Sequence, residues 1–206
     1  MIKSGGSTPG DGQRPAPSFD PVKVAYYEKA GWQAYYDRNW LLAFRLMVRL
    51  NREEFNLSLP VAILAAVDIV RASMAFAPLD NDVQAATEHL HRYYEKARRS
   101  VGIPADAETL ARLEMDYWIV HRRLALERIQ DHDLDNIGPM VDSLTTLHAA
   151  LFGAEPEATR RSAEYRALAA QSVDRITGRY STDVSRDWEL VESYLQQAYH
   201  ELAVHQ

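Results

Sequence analysis

Hydrophobic side chains recur every three to four residues along most of this chain, the spacing of one face of an α-helix. One stretch places Leu42 and Leu46 on such a face, and a later stretch does the same with Leu110, Tyr117 and Leu124. Sustained alternation of apolar and polar residues, which would indicate a β-strand, does not occur in the sequence. The pattern therefore predicts an all-α protein.

Residues that start and end helices divide this pattern into eight segments. A capping carboxylate precedes proline at Asp20-Pro21, and Gly138-Pro139 opens a later segment. Gly102 and Gly153 stand where two segments should end. Because the links between segments are short, consecutive helices should pack as antiparallel hairpins, forming either a helical bundle or a short superhelix.

Residues 61–77 form one segment that is apolar almost throughout. Asp68 and Arg71 lie at its middle, where a charge is costly in a bilayer, and the run is short for a membrane span. We therefore expect no transmembrane segment, and a helix buried inside the protein. The two residues are three apart on a helix, so we predict a buried ion pair between them. The alternative is that both lie on a narrow exposed edge.

Composition narrows the classes of function. The 206 residues carry a net charge of −6, and 47% of them are hydrophobic. A general nucleic-acid binder would normally show a basic excess, so we expect no nucleic-acid partner. The chain contains no cysteine, which excludes disulfides, thiolate metal sites and cysteine nucleophiles. Its first residues lack the apolar core of a signal peptide, and we expect a soluble cytoplasmic protein.

Residues 1–19 differ from the rest of the chain, because they are rich in glycine, proline and serine and nearly lack large apolar side chains. Such a segment cannot bury enough surface to offset the entropy that ordering costs, so we expect a disordered arm. Residues 20–206 carry all the helical segments. They should form a single all-α domain.

The first two predicted helices place an aromatic residue, a small residue, a second aromatic, an alanine and a large apolar residue at Tyr27, Gly31, Trp40, Ala43 and Met47. Over residues 24–52 this arrangement resembles a tetratricopeptide repeat hairpin, although two other signature positions depart from the family pattern. Later hairpins match the pattern only in part, and their spacing is irregular. The resemblance implies a protein-binding superhelix rather than an enzyme.

Two residues of the fifth predicted helix are candidates for acid–base chemistry. Glu114 and His121 share one side of this helix with Trp118, and a carboxylate and an imidazole near an indole could exchange protons with a substrate. The alternative is a half-buried histidine that forms a hydrogen bond with a neighbour. A helical-bundle enzyme with an acid–base or metal site near His121 is one function left open.

The segment before the sixth helix carries alternating carboxylates at Asp131, Asp133 and Asp135, and Asp142 is the twelfth residue counted from Asp131. This spacing resembles an EF-hand loop, which implies a Ca²⁺ ion held by carboxylate oxygens and a calcium-stabilised helical module. Asn136 departs from the family pattern, because it replaces an invariant glycine. Alternatively, the aspartates only complement the positive end of the following helix.

The first predicted helix carries more large aromatic residues than one buried face can hold, and the second carries a row of arginines. Tyrosine, tryptophan and arginine are enriched at the centres of protein interfaces. We therefore expect a non-catalytic interaction subunit or adaptor that docks on a protein partner through the arm and this first hairpin. The alternative is that Tyr194 and Tyr199 of the last helix cover the aromatics. The expected contact residues are Tyr26, Trp32, Tyr36, Arg38, Arg45 and Arg49.

Overall fold

The computed structural model describes residues 19–204, and within this range it contains eight α-helices and no strand. The all-α prediction is therefore confirmed. The remainder of the predicted arm, residues 1–18, lies outside the described residues. In chain order the helices are α1 (Pro21–Tyr36), α2 (Trp40–Phe55), α3 (Leu59–Phe76), α4 (Val83–Val101), α5 (Ala107–Gln130), α6 (Gly138–Phe152), α7 (Pro156–Thr177) and α8 (Val184–Val204).

Local capping explains why the helix boundaries could be read from the sequence. The Asp20 carboxylate accepts hydrogen bonds from the backbone N–H groups of the first turn of α1, and Asp82 accepts one at the start of α4. Gly102 and Gly153 end α4 and α6 in the left-handed conformation, with φ of 71° and 64°. Glycine adopts this conformation without a Cβ clash, so each helix ends at the predicted residue.

Consecutive helices pack against each other along the chain, and α8 packs against α1. This last contact closes the series into a bundle, which is the first of the two architectures that the sequence left open. One apolar core extends from α2 to α7. A second core lies between α1, α2, α7 and α8.

Phe19 corrects the predicted boundary of the arm. Its side chain is buried in the second core, with ring centroids 6.0 Å from Phe152 and 5.7 Å from Tyr199. Burying a phenylalanine side chain contributes about 1.5–3 kcal/mol, so this residue belongs to the helical domain. The sequence placed Phe19 in the arm because glycine, proline and serine dominate the composition of residues 1–19.

The prediction that α3 is buried inside the protein is wrong. Among the described helices, α3 alone has the length and apolar composition of a membrane span, yet only 33% of it is buried. Its inner face packs on α4 through Ala65, Ala72 and Phe76. Its outer face leaves a continuous row of apolar side chains at the surface. We call this row the α3 stripe: Leu59, Ile63, Val67, Val70 and Met74.

Candidate functional site

Three arginines form an exposed row on the outer face of α2. Arg45, Arg49 and Arg52 are four and three residues apart, so they follow one another along the same side of the helix. None of the ion pairs among the described residues includes any of the three. We call them the α2 arginine row. Their charges are open to a ligand.

A surface cavity lies beside the end of this row. Its volume is about 320 Å³, and Arg49 and Arg52 line it together with Tyr27 from α1. The one carboxylate in the lining, Glu53, lies 3.7 Å from the Lys23 ammonium, which partly neutralises it. The cavity is therefore a positively charged recess with an aromatic wall. Its full lining is Tyr27, Arg49, Arg52, Glu53, Asn56 and Leu57.

The predicted contact residues of the first hairpin do not form one patch. Tyr26 is exposed near the start of α1, on the side where α2 ends. Tyr36 and Arg38 are exposed at the turn between α1 and α2, where Arg38 has a φ of 58°. Tyr26 and Tyr36 are ten residues apart on α1, which places them roughly 15 Å apart along the helix axis.

Trp32 does not belong to the exposed surface. Its ring packs on the second core, and the Arg166 guanidinium from α7 lies 5.1 Å from the ring centroid. Tyr27 and Tyr194 also pack on this core, in which Tyr199 is buried. The alternative that the last helix covers the aromatics therefore holds for part of the set, since α8 packs on α1. Tyr26, Tyr35 and Tyr36 stay exposed.

Glu114 and His121 take part in separate hydrogen-bond networks. The Glu114 carboxylate accepts hydrogen bonds from Tyr94 Oη at 2.9 Å and from Trp118 Nε1 at 2.7 Å. Burial raises the pKa of Glu114, an effect that these bonds partly oppose. His121 instead contacts Asp174 on α7, with 2.9 Å between Nε2 and Oδ1, and stacks on Tyr117. The two predicted acid–base groups are therefore not brought together.

Asp174 is a residue that the sequence did not single out. Its second oxygen accepts a hydrogen bond of 2.7 Å from Arg128 Nη1, and Arg128 is 1% exposed. Arg128 also donates to the backbone carbonyl of Asn136, which fixes the loop after α5. Because Asp174 and Arg128 are 46 residues apart, no local spacing rule could have paired them. The contacts identify a structural ion pair that ties α5 to α7.

A second network lies in the middle of the bundle. Glu28 on α1 forms an ion pair with Arg166 on α7, and Tyr199 Oη donates to Glu28 Oε2 at 2.7 Å. Nearby, burial raises the pKa of Glu54 to about 8; the Glu28 carboxylate adds to this effect and Arg166 opposes it. The ion pair and the hydrogen bond of Glu28 join the first, seventh and eighth helices.

The predicted calcium loop does not gather its carboxylates. Asp135 accepts a hydrogen bond from Gln171 at 2.7 Å, and Asp142 pairs with Arg160 at 3.2 Å. Asp131 accepts from the backbone N–H of Asp133, which forms a local turn. Within residues 19–204, no group of three or more acidic or histidine side chains is placed to hold a metal ion. The acids therefore serve separate contacts.

The predicted pairing of Asp68 with Arg71 is wrong. Asp68 is buried and forms an ion pair with Lys96 on α4, with 2.6 Å between Oδ2 and Nζ. Arg71 is exposed on the outer side of α3. Asp68 pairs with Lys96 and not with Arg71 because the Asp68 side chain faces α4. The Arg71 side chain, about one turn further along α3, faces the solvent.

A scan against protein-family models finds no match, and searches of curated proteins and of solved structures find none either. The tetratricopeptide and EF-hand resemblances are therefore not supported by a family match.

Proposed function

We propose that this chain is a non-catalytic interaction subunit or adaptor, which binds an acidic segment of a partner protein along the α2 arginine row. The observation that carries this proposal is the absence of a described ion-pair partner for Arg45, Arg49 and Arg52 in a chain with a net charge of −6. Elsewhere in the described chain, exposed arginines such as Arg92, Arg99 and Arg186 pair with glutamates on their own helix. Single exposed arginines without an ion pair also occur at Arg38, Arg71 and Arg179, but no other described helix carries three of them along one face.

The spacing of the row fits an extended acidic segment. Arginines one turn apart are separated by about 5–6 Å along the helix. Carboxylates two residues apart in an extended chain are separated by roughly 6.7 Å. Two alternate acidic side chains of a partner can thus each meet one guanidinium, and a guanidinium binds a carboxylate through two parallel hydrogen bonds. This geometry favours a segment in which every second residue is acidic.

The cavity beside Arg49 and Arg52 adds specificity to this contact. Tyr27 supplies an aromatic wall, the other exposed lining residues are polar, and the volume of about 320 Å³ accommodates one large side chain. An apolar residue next to the acidic positions would enter this recess. We therefore propose that the partner segment combines alternate carboxylates with one aromatic or aliphatic anchor.

The resemblance of α1 and α2 to a tetratricopeptide hairpin supports a protein-binding function, since that family binds protein segments. The two other functions have less support. A calcium module needs converging carboxylates, and Asp131, Asp135 and Asp142 each have a different partner. An enzyme centred on His121 needs a second group that acts with the imidazole on a substrate, and the predicted partner Glu114 is bound instead to Tyr94 and Trp118 in a separate hydrogen-bond network.

The test uses a short fluorescein-labelled peptide in which glutamate alternates with serine and one position is phenylalanine. We expect the full chain to bind it, with fluorescence anisotropy rising as protein is added and affinity falling as salt is raised. The same peptide with glutamine in place of glutamate should bind at least about tenfold more weakly.

Variants locate the contact. The double variant Arg49→Glu and Arg52→Glu should lose at least about tenfold in affinity, because two attractive contacts become repulsive. Arg112→Glu on the exposed face of α5 introduces the same kind of charge change far from the row and serves as the control. Equal binding by the double variant and the control, or no binding by the unchanged chain, would refute the proposal.

A further inference from the structure

The α3 stripe is the largest apolar surface on one described helix. Met74 is 70% exposed and Leu59 is 50% exposed, and Leu64 extends the row at its edge with 56% exposed. From Leu59 to Met74 the stripe runs roughly 22 Å along the helix. The carboxylate of α3, Asp68, faces the other way and is neutralised by Lys96. The exposed face therefore offers no acidic group, and its one charge, Arg71, lies at the edge.

The exposed apolar surface of α3 has the size of the patches that often serve as functional contacts on monomers. The exposed fractions leave roughly 450 Å² of apolar area open on this helix, within the range of the largest patch on a typical monomer. A two-fold contact uses the same patch on both copies, so it buries roughly twice this area before flanking side chains are added. A specific interface needs about 1,000 Å² or more. The two stripes together contribute roughly 900 Å², so a symmetric contact reaches this size only when flanking exposed side chains such as Leu79, which is 90% exposed, are buried with them.

The order of residues along the stripe is close to symmetric about Val67. When a second copy of α3 is laid antiparallel with Val67 against Val67, Leu59 of each copy lies within one residue, about 1.5 Å, of the position opposite Met74, and Ile63 within one residue of the position opposite Val70. Leucine and methionine thus face each other at the ends of the contact, and the β-branched isoleucine and valine face each other near its centre. The antiparallel arrangement also sets opposite helix dipoles side by side.

We propose that two copies of this chain associate through an antiparallel contact between their α3 stripes. This contact is independent of the α2 arginine row, so either proposal can fail without the other. A membrane surface is the other kind of partner that an exposed apolar helix face can contact. Helices that lie on membranes carry lysines and arginines along their polar edges. On α3 only Arg71 has this character, and the chain as a whole is acidic.

Sedimentation equilibrium of the full chain tests the association. We expect twice the mass of one chain at micromolar concentration. Ile63→Glu and Met74→Glu should each weaken the association by at least about tenfold, because a carboxylate would be buried without a partner. Leu126→Glu, on an exposed position of α5, should leave the dimer intact. Helical circular dichroism of each variant checks that the fold is retained. A monomer throughout, or equal weakening by Leu126→Glu, would overturn the proposal.

Crosslinking tests the orientation, and the absence of native cysteines makes the result unambiguous. With a short bis-maleimide, Val67→Cys should crosslink to itself, because this position lies at the two-fold axis. Met74→Cys should not, since its two copies would be roughly 20 Å apart. A mixture of Leu59→Cys and Met74→Cys chains should give the mixed product. Self-crosslinking of Met74→Cys, or flotation of the unchanged chain with anionic vesicles as a monomer, would contradict an antiparallel dimer.

Discussion

The two ends of the chain use arginine in opposite ways. On α5 and α7, Arg128, Arg166 and Arg175 each reach a carboxylate on another helix, namely Asp174, Glu28 and Asp187. On α2, the arginine row has no described ion-pair partner. Apolar exposure also differs between α7 and α3, because α7 exposes no large hydrophobic side chain whereas α3 exposes its stripe.

This difference separates residues that hold the fold from residues that are available to a ligand. A buried arginine must keep its carboxylate, because an unpaired buried charge is strongly destabilising. An exposed arginine without a partner contributes little to stability, so its substitution should change binding and leave folding almost unchanged. Substitution of the buried, paired residues should therefore lower stability, and substitution of the α2 arginine row or the α3 stripe should weaken association.

The largest expected effect is at Asp174. Asp174→Ala removes the carboxylate that both Arg128 and His121 contact, and Arg128 is 1% exposed. We expect the free energy of unfolding to fall by about 3–5 kcal/mol, measured by urea denaturation. Asp116→Ala, which breaks an exposed pair with Arg112, should cost less than about 1 kcal/mol. Similar losses of unfolding free energy in Asp174→Ala and Asp116→Ala would contradict the distinction between buried and exposed ion pairs.

A smaller effect is expected on α3, where one helix carries both kinds of residue. Asp68→Ala leaves Lys96 without its carboxylate at a partly buried position, and we expect a loss of about 1–3 kcal/mol. Arg71→Ala should stay within about 0.5 kcal/mol, because its side chain is exposed. Thermal unfolding of both variants measures the difference. A larger loss of stability in Arg71→Ala than in Asp68→Ala would indicate that Arg71, and not Lys96, is the main ion-pair partner of Asp68.

The pH dependence of stability tests the polar network of Glu28, Glu54 and Arg166. Burial raises the pKa of Glu54 to about 8 from an ordinary value of 4.5. Between these values the folded state holds a proton that the unfolded state has lost, so stability falls as pH rises through this window. Glu54→Gln should remove this loss and stabilise the fold at pH 9 by about 1–3 kcal/mol relative to the unchanged chain. A parallel decline in both proteins between pH 5 and pH 9 would show that Glu54 ionises normally.

Much of the fold could be predicted because its signals are local. Asp20, Asn39 and Asp82 cap helices whose first turns follow them directly, and Gly102 and Gly153 end helices at positions that need a left-handed residue. Each of these signals involves residues within one turn of each other. The number, order and approximate bounds of the helices therefore follow from the sequence.

The partners of charged and aromatic residues could not be predicted, because they depend on how distant helices meet. Lys96 is 28 residues from Asp68, and Tyr199 is 171 residues from Glu28. A rule based on neighbouring helix turns paired Asp68 with Arg71. The same limitation placed Trp32 at the surface, since its contact with Arg166 arises only when α7 packs near α1. The exposed arginines were easier to predict, because they needed no partner.

The most direct test of the account measures folding and binding in the same variant, Arg49→Glu. We expect a free energy of unfolding within about 0.5 kcal/mol of the unchanged chain, since the replaced side chain is exposed and without a described ion-pair partner. We also expect the affinity for the alternating glutamate peptide to fall about tenfold or more. A variant that binds the peptide as tightly as the unchanged chain, or that loses several kcal/mol of stability, would contradict the assignment of the α2 arginine row to a partner.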